Sequence, residues 1–231
     1  MKQTVNPPAV RWHHLPDAAA IAAETVRRML LAADAAIARH GVFRVVLAGG
    51  STPERAYRQL ADSDADWARW ELYLGDERCL PADDAQRNSR MIEQAWLAQS
   101  PIAPHQVHWI PAERGAAQGA RDYEAVIEAV LPFDMVLLGM GEDGHTASLF
   151  PGHHHDTARL VVPVEDAPKP PPERISLNFG TLGQTREMLL LVSGASKRDA
   201  VHRWRNDEPL PVAGLQCDAG IDVLIDHAAT A

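Results

Sequence analysis

Four short stretches of this sequence place glycine and polar residues directly after apolar runs: Gly49-Gly50-Ser51-Thr52, Gly75-Asp76-Glu77-Arg78, Gly139 through His145, and Ser193-Gly194-Ala195-Ser196-Lys197. The third holds Asp143 and His145 two residues apart. At that spacing the carboxylate can orient the imidazole, or both side chains can face a ligand. A neutral imidazole near pH 7 suits general-base work. A lone histidine is ordinarily a satisfied core or surface residue, and what favours catalysis here is its place in a glycine loop. In the first stretch, two glycines allow close approach of the backbone to a ligand. A helix starting just beyond them presents unpaired N–H groups and a partial positive charge, which suit a phosphate. An ordinary strand-to-helix turn is the alternative. Lys197 would sit in the first turn of a helix, where the macrodipole disfavours a cation. An anion held between Lys197 and that helix start would offset the cost. Only three of the 22 basic residues are lysines, namely Lys2, Lys169 and Lys197, so a lysine inside a structured segment is informative.

Several sharper readings fail on their own requirements. Gly139 to Gly144 matches G-x-G-x-x-G, but a dinucleotide site needs a full helix after the glycines. Pro151-Gly152 stops any helix starting at His145 after about two turns. Gly49 to Pro53 lacks the Gly-Lys-Ser/Thr ending of a phosphate-binding Walker loop. His153-His154-His155 reads as a solvated loop, because no His-Glu-x-x-His or Cys-x-x-Cys accompanies it. Arg78 would lower the pKa of the adjacent Cys79, yet nothing makes that thiol a nucleophile. Neither Gly-x-Ser-x-Gly nor Ser-x-x-Lys occurs, so covalent serine catalysis has no support.

The elements that must position these stretches alternate. A helix is expected over Asp17 to His40, with Asp17 as N-cap and Gly41 as its stop. Val42 to Ala48 reads as a strand, followed by a helix with Thr52 as cap and Pro53 in its first position. Strands are expected at Glu71–Leu74, Val107–Ile110, Phe133–Leu138, Ile175–Phe179 and Met188–Val192. Helices are expected at Asn88–Ala98, Gly115–Val130 and Ser196–Arg205. Pro163 to Pro172 reads as a loop, and no domain boundary stands out across residues 1–231. The alternation predicts an α/β fold with a mostly parallel sheet and helices on both faces. Ligands bind such sheets beyond the carboxyl ends of the strands, so the four stretches are expected to converge there.

The composition agrees with a globular domain: 231 residues, 46% hydrophobic and 23% charged. A net charge of −9 argues against non-specific nucleic-acid binding. The two cysteines, Cys79 and Cys217, are too few for a disulfide framework or a zinc site. No apolar run reaches membrane-spanning length, and Met1 to Trp12 has no apolar signal core. A reduced, cytoplasmic location without membrane association is expected.

Taken together, Leu47 to Pro53, Leu74 to Arg78, Leu138 to Pro151, Pro171 to Leu177 and Ser193 to Lys197 resemble the 6-phosphogluconolactonase family, within the wider group that includes the glucosamine-6-phosphate deaminases. The resemblance implies a Rossmann-like fold and hydrolysis of a sugar-phosphate lactone, with no cofactor and no required metal. Deaminases of the group carry Glu-Pro at the end of the Asp-Gly-His stretch, where this chain has Phe150-Pro151. They follow their Asp-Glu with an aromatic residue, where this chain has Arg78. Both differences favour the lactonase over a deaminase. A sugar-phosphate sensor is the more distant alternative; it would carry an N-terminal helix-turn-helix, which the long first helix does not match. A lactone is an activated ester, so water and a base suffice. His145 with Asp143, Asp76 and Arg78 are the expected catalytic group, with Arg78 and the glycine-loop amides as oxyanion donors. Gly49, Gly50, Ser51, Thr52, Arg174 and Lys197 are expected to hold the phosphate. The oligomeric state, monomer or small homo-oligomer, is left open.

Overall fold

The computed structural model describes residues 9–154 and 156–230. Its elements in chain order are β1 (Val10–Leu15), α1 (Ala18–His40), β2 (Phe43–Leu47), α2 (Ser51–Leu60), β3 (Trp70–Leu74), β4 (Asp76–Arg78), α3 (Asn88–Ala95), β5 (Val107–His108), α4 (Ala116–Glu128), β6 (Phe133–Gly139), β7 (Val161–Val164), β8 (Arg174–Leu177), α5 (Phe179–Gly183), β9 (Thr185–Val192), α6 (Arg198–Arg205), β10 (Ile221–Asp226) and α7 (His227–Thr230). Seven strands form a wholly parallel sheet in the order β1-β10-β9-β6-β2-β3-β5. From β2 the chain first steps through β3 to β5, then returns through β6 and β9 to β10 on the other side. The order therefore reverses between β2 and β6, and a crevice opens beyond their carboxyl ends. With the right-handed crossovers usual for parallel strands, this order is expected to set α1, α2 and α3 on one face and α4 with the connections after β6 on the other. The packing of α1 on α2, of α2 on α3 and of α4 on β7 agrees.

Local chemistry explains the element ends. Asp17 Oδ1 accepts from the amides of Ala19 and Ala20, both at 2.9 Å, and Gly41 at φ 87° closes α1. The expected Thr52 cap is corrected: α2 starts at Ser51, and Gly50 occupies the N-cap at φ 109°, ψ 164°. That backbone conformation is open only to glycine. It turns the chain from strand into helix two residues early, which leaves Thr52 in the first turn. Two tyrosines anchor the strands next to their glycine exits. The Tyr57 hydroxyl donates to the carbonyl of Ala48 and accepts from its amide, and Tyr123 does the same at Leu74. Both side chains are fully buried, so these backbone groups are satisfied without water. Burial pushes both phenols well above their ordinary pKa, so they remain neutral donors.

Five segments differ from the sequence reading. Val10–Leu15 and Ile221–Asp226 are strands that pair in parallel at one edge of the sheet. Asp76–Arg78, expected only as a polar stretch after a strand, is itself a strand. The segment expected as a strand at Ile175–Phe179 is Arg174–Leu177 and lies outside the parallel sheet, antiparallel to β4 and β7 in a separate three-stranded sheet. Pro163, read as loop, falls within β7. As an edge strand β7 can accommodate a residue without an N–H. His155, the third of the adjacent histidines, lies outside the described residues.

Candidate active site

A cleft of about 210 Å³ sits at the crevice between β2 and β6. All four glycine-containing stretches contribute to its walls. Gly49 and Gly50 come from the end of β2, and Gly75, Asp76 and Arg78 from the β3–β4 segment. Gly139, Met140, Gly141, Glu142 and His145 come from the loop after β6, and Lys197 from the turn after β9. Arg174 of β8, Asn88 of α3 and Lys169 complete the polar lining. Ser51, Thr52 and Asp143 are not among the wall residues. Ser51 is exposed in the first turn of α2, and its amide and that of Thr52 open a helix where intrahelical partners do not exist.

The loop after β6 is built around His145. Its ring Nδ1 lies 2.6 Å from Asp143 Oδ1. An ionised carboxylate can only accept, so Nδ1 carries the proton and the lone pair is on Nε2. Asp143 thus stands behind the imidazole and acts through it. The main chain tightens the loop, with the Gly141 amide donating to the His145 carbonyl at 2.8 Å and the Gly144 amide to the Gly141 carbonyl at 3.1 Å. These two amides are used within the loop, which removes them from the expected oxyanion donors. A Cβ at Gly141 would overlap the His145 ring, so glycine is required there. Burial pushes the His145 pKa below its ordinary value, while the Asp143 hydrogen bond and charge oppose the shift. Burial also disfavours the Asp143 carboxylate, but the hydrogen bond and charge of His145 outweigh it and hold Asp143 below its ordinary pKa. The result is a neutral imidazole at pH 7 with an oriented free nitrogen.

Around it, the carboxylate of Asp76 is 8% exposed and held from two sides. Ser148 Oγ donates to Oδ2 at 2.6 Å, and Asn88 Nδ2 to Oδ1 at 3.2 Å. Asn88 fills the space that a Cβ on Gly49 would need, which explains the glycine. The neighbouring Glu77 is structural. It is fully buried and accepts from the amides of Asn88 and Ser89 at the start of α3, at 2.7 and 2.8 Å. Arg78 is tethered by a hydrogen bond to the carbonyl of Gln86. Arg174 is 6% exposed, and burial together with the charge of Arg78 pushes its pKa down. It donates to the carbonyls of Pro171, Lys169 and Pro170 at 3.1, 3.0 and 3.4 Å, and its guanidinium lies 5.3 Å from the Phe150 ring centre. Phe150 in turn packs against the His145 ring at 4.6 Å. Lys197 is partly buried, and burial pushes its pKa down; Glu142 opposes this and Lys169 adds to it.

The adjacent thiol departs from expectation. Burial and the charge of Glu173 push Cys79 up to about 12, overriding the opposing charge of Arg87. Among the described residues, no group of histidine, cysteine and carboxylate side chains is arranged to hold a metal ion, and no helix is long and apolar enough to cross a membrane. Sequence reasoning missed Asn88, Glu142 and Lys169. Asn88 lies more than ten residues beyond its loop, and nothing local in the sequence marks it. For Lys169 the scarcity of lysine was the available signal, and it was applied to Lys197 alone.

A parallel α/β sheet with a carboxylate-oriented imidazole and a cationic wall at its switch point defines an enzyme for a small anionic substrate. Comparison with known proteins narrows this. Residues 16–224 match the family model described as glucosamine-6-phosphate isomerases/6-phosphogluconolactonase, and the chain belongs to that family. It is 38% identical to the 6-phosphogluconolactonase of Mycobacterium leprae over 207 residues, covering 81% of this chain and 84% of that one. The crystal structure of 6-phosphogluconolactonase from Thermotoga maritima superposes with a TM-score of 0.87 at 27% identity, covering 94% of this chain and all of that one. A monomeric glucosamine-6-phosphate deaminase shares the fold, with a TM-score of 0.81 at 22% identity over 95% of this chain and 98% of that one.

Proposed function

We propose that this chain hydrolyses 6-phospho-D-glucono-1,5-lactone to 6-phospho-D-gluconate, in the oxidative pentose phosphate pathway, with His145 as general base. Family membership and the lactonase relatives support the activity. One observation carries the mechanism: the imidazole is hydrogen-bonded at Nδ1 to Asp143 while the ring forms part of the wall of a cationic cleft.

His145 Nε2 takes a proton from water as the water oxygen attacks C1 of the lactone. Asp143 fixes the tautomer and stabilises the imidazolium that forms. The carbonyl oxygen becomes an oxyanion, for which Arg78, a cation of the cleft wall, is the donor in this reading; one such donor is worth about 3–4 kcal/mol. The oxyanion then collapses and the bond from C1 to the ring oxygen breaks. That oxygen leaves as the C5 hydroxyl and takes the proton from Nε2. The carboxylic acid product ionises and releases one proton to solvent. Asp76, supported by Ser148 and Asn88, presents a carboxylate to the sugar hydroxyls. Gly50, the amides opening α2 and Lys197 hold the phosphate, away from the reacting carbon. Phe150 supports the lactonase reading, because an aromatic ring packs on His145 where the deaminases of the group carry a carboxylate.

The test is a rate measurement on freshly generated lactone, corrected for spontaneous opening. Acceleration by the wild-type chain and its loss in His145→Ala are expected. A wild-type chain that leaves the spontaneous rate unchanged would overturn the activity.

A further inference from the structure

Lys169 lies in the segment between β7 and β8 and lines the cleft. This strap has its own footing: Phe150, Val164 and Ala167 form a small apolar cluster separate from the main core. The Ala167 amide donates to the Pro172 carbonyl at 3.0 Å. Arg174 reaches up from the cleft and spends its hydrogen bonds on the strap, including one to the carbonyl of Lys169 itself. The strap is thus held at the residue that sends a cation into the cleft. The Lys169 ammonium lies 3.6 Å from Glu142, with both side chains about half exposed.

The charge arrangement there is unbalanced. Lys197 feels the charges of both Lys169 and Glu142, so two ammonium groups share this neighbourhood with Glu142, and Asp143 is already committed to His145. Two like charges brought together in this way are stabilised by a further anion. An exposed ion pair such as Lys169 with Glu142 is weak, so an arriving dianion can displace the carboxylate.

We infer that Lys169 is a substrate-binding residue that exchanges Glu142 for the phosphate of the ligand, and that Glu142 is its competitor in the empty cleft. Arg174 then serves as a positioning residue for Lys169. The inference rests on the phosphate lying at the Lys197 side of the cleft. It predicts opposite signs for the two members of one ion pair, which a purely structural salt bridge would not show.

The experiment measures the dissociation constants of inorganic phosphate, 6-phosphogluconate and gluconate for the wild type, Lys169→Met and Glu142→Gln, alongside KM for the lactone. Lys169→Met should weaken 6-phosphogluconate about tenfold, the lower end for a charged hydrogen bond. Glu142→Gln should tighten it by roughly two- to fivefold, the range of an exposed pair. Inorganic phosphate should follow both changes, and gluconate neither. Weakening in both variants would reduce the pair to a structural tie and overturn the exchange. An effect on gluconate equal to that on phosphate would move Lys169 to the carboxylate end and overturn the assignment. If the wild type opens the lactone but neither variant shifts affinity, the exchange alone falls. If opposite shifts occur without lactone turnover, the proposed reaction falls and the anion site stands.

Discussion

Two carboxylate–imidazole pairs in this molecule have nearly the same length. His145 lies 2.6 Å from Asp143, and His108 lies 2.7 Å from Glu71. Their surroundings differ in two ways. Asp143 meets His145 at Nδ1, so the free Nε2 points away from the backbone. Glu71 meets His108 at Nε2, which leaves the nitrogen crowded by its own main chain. In addition, His108 sits on the edge strand β5 and lies flat on Tyr73, with ring centres 4.5 Å apart and planes within 6°. His145 lines a cleft, and burial holds it neutral. His40 with Asp134 repeats the His108 pattern through Nε2. A carboxylate beside a histidine is therefore not a signature of catalysis. The nitrogen that is left free, and what it faces, decide.

The largest expected effect tests this contrast directly. His145→Ala should lower kcat by about 10²–10⁴-fold, the usual worth of a general base. His108→Ala should keep kcat within about twofold of the wild type, since this partly buried pair sits on the edge strand β5 and is not part of the cleft wall. Steady-state rates on the phosphorylated lactone check both, and equal losses would erase the distinction.

Next in size is the phosphate end. Lys197→Met removes a charged hydrogen bond worth about 1.5–3 kcal/mol, so KM should rise roughly 10- to 150-fold. The non-phosphorylated gluconolactone cannot use this anchor and should respond far less. Equal slowing of both lactones would place Lys197 at the carbonyl instead.

Asp143→Asn sharpens the role of the orienting carboxylate. It frees the tautomer and should lower kcat by about tenfold or more. It should also shift the pH profile in a defined direction. In the wild type, kcat/KM should rise as His145 loses its proton, with a midpoint below 6.5 because burial depresses its pKa. Asp143 opposes that depression, so its replacement should move the midpoint lower still. A midpoint that moves upward would show that Asp143 does not stabilise the imidazolium.

The same depression links to stability. The unfolded chain binds the His145 proton more readily than the folded one, so this contribution is present above the unfolded pKa near 6.5. It is lost as pH falls through the lower folded value. Chemical unfolding between pH 7 and pH 5 should show this as a loss that His145→Ala lacks. The smallest expected effect is Glu71→Gln, which should cost under about 1 kcal/mol and leave turnover unaltered. A measurable fall in kcat there would mean that the edge pair communicates with the cleft.

Much of the site was legible because the chemistry sits at strand ends. Gly49-Gly50, Gly75-Asp76, Gly139 to His145 and Ser193 to Lys197 each follow an apolar run, and a parallel sheet must bring such ends together. The buried central strands read as continuous apolar runs for the same reason. What escaped was set by distant contacts. β1 mixes Arg11, His13 and His14 into an edge strand, and only its register with β10 makes it one. β8 reads as another parallel strand, yet it pairs antiparallel with β4 because the segment after β6 folds back over the sheet. Ser51 and Thr52 stand beside the glycines in sequence, but only Gly49 and Gly50 line the cleft; because α2 opens at Ser51, these two residues offer their free first-turn amides.

Sequence alone carried the alternation of strands and helices, the glycines where backbone must pass close to other groups, and a two-residue spacing at which Asp143 can reach His145. These are local matters of periodicity, conformational freedom and reach. The fold then chose that pairing over two side chains facing a ligand. Only the tertiary structure decided which histidine nitrogen is free, that Asn88 and Ser148 hold Asp76, and that Arg174 spends itself on the strap rather than standing open. It also brought Lys169 and Glu142 to the cleft mouth. Burial, hydrogen-bond direction and the meeting of charges depend on which segments share a volume, and residues separated by many positions acquire those properties only when the sheet places them together.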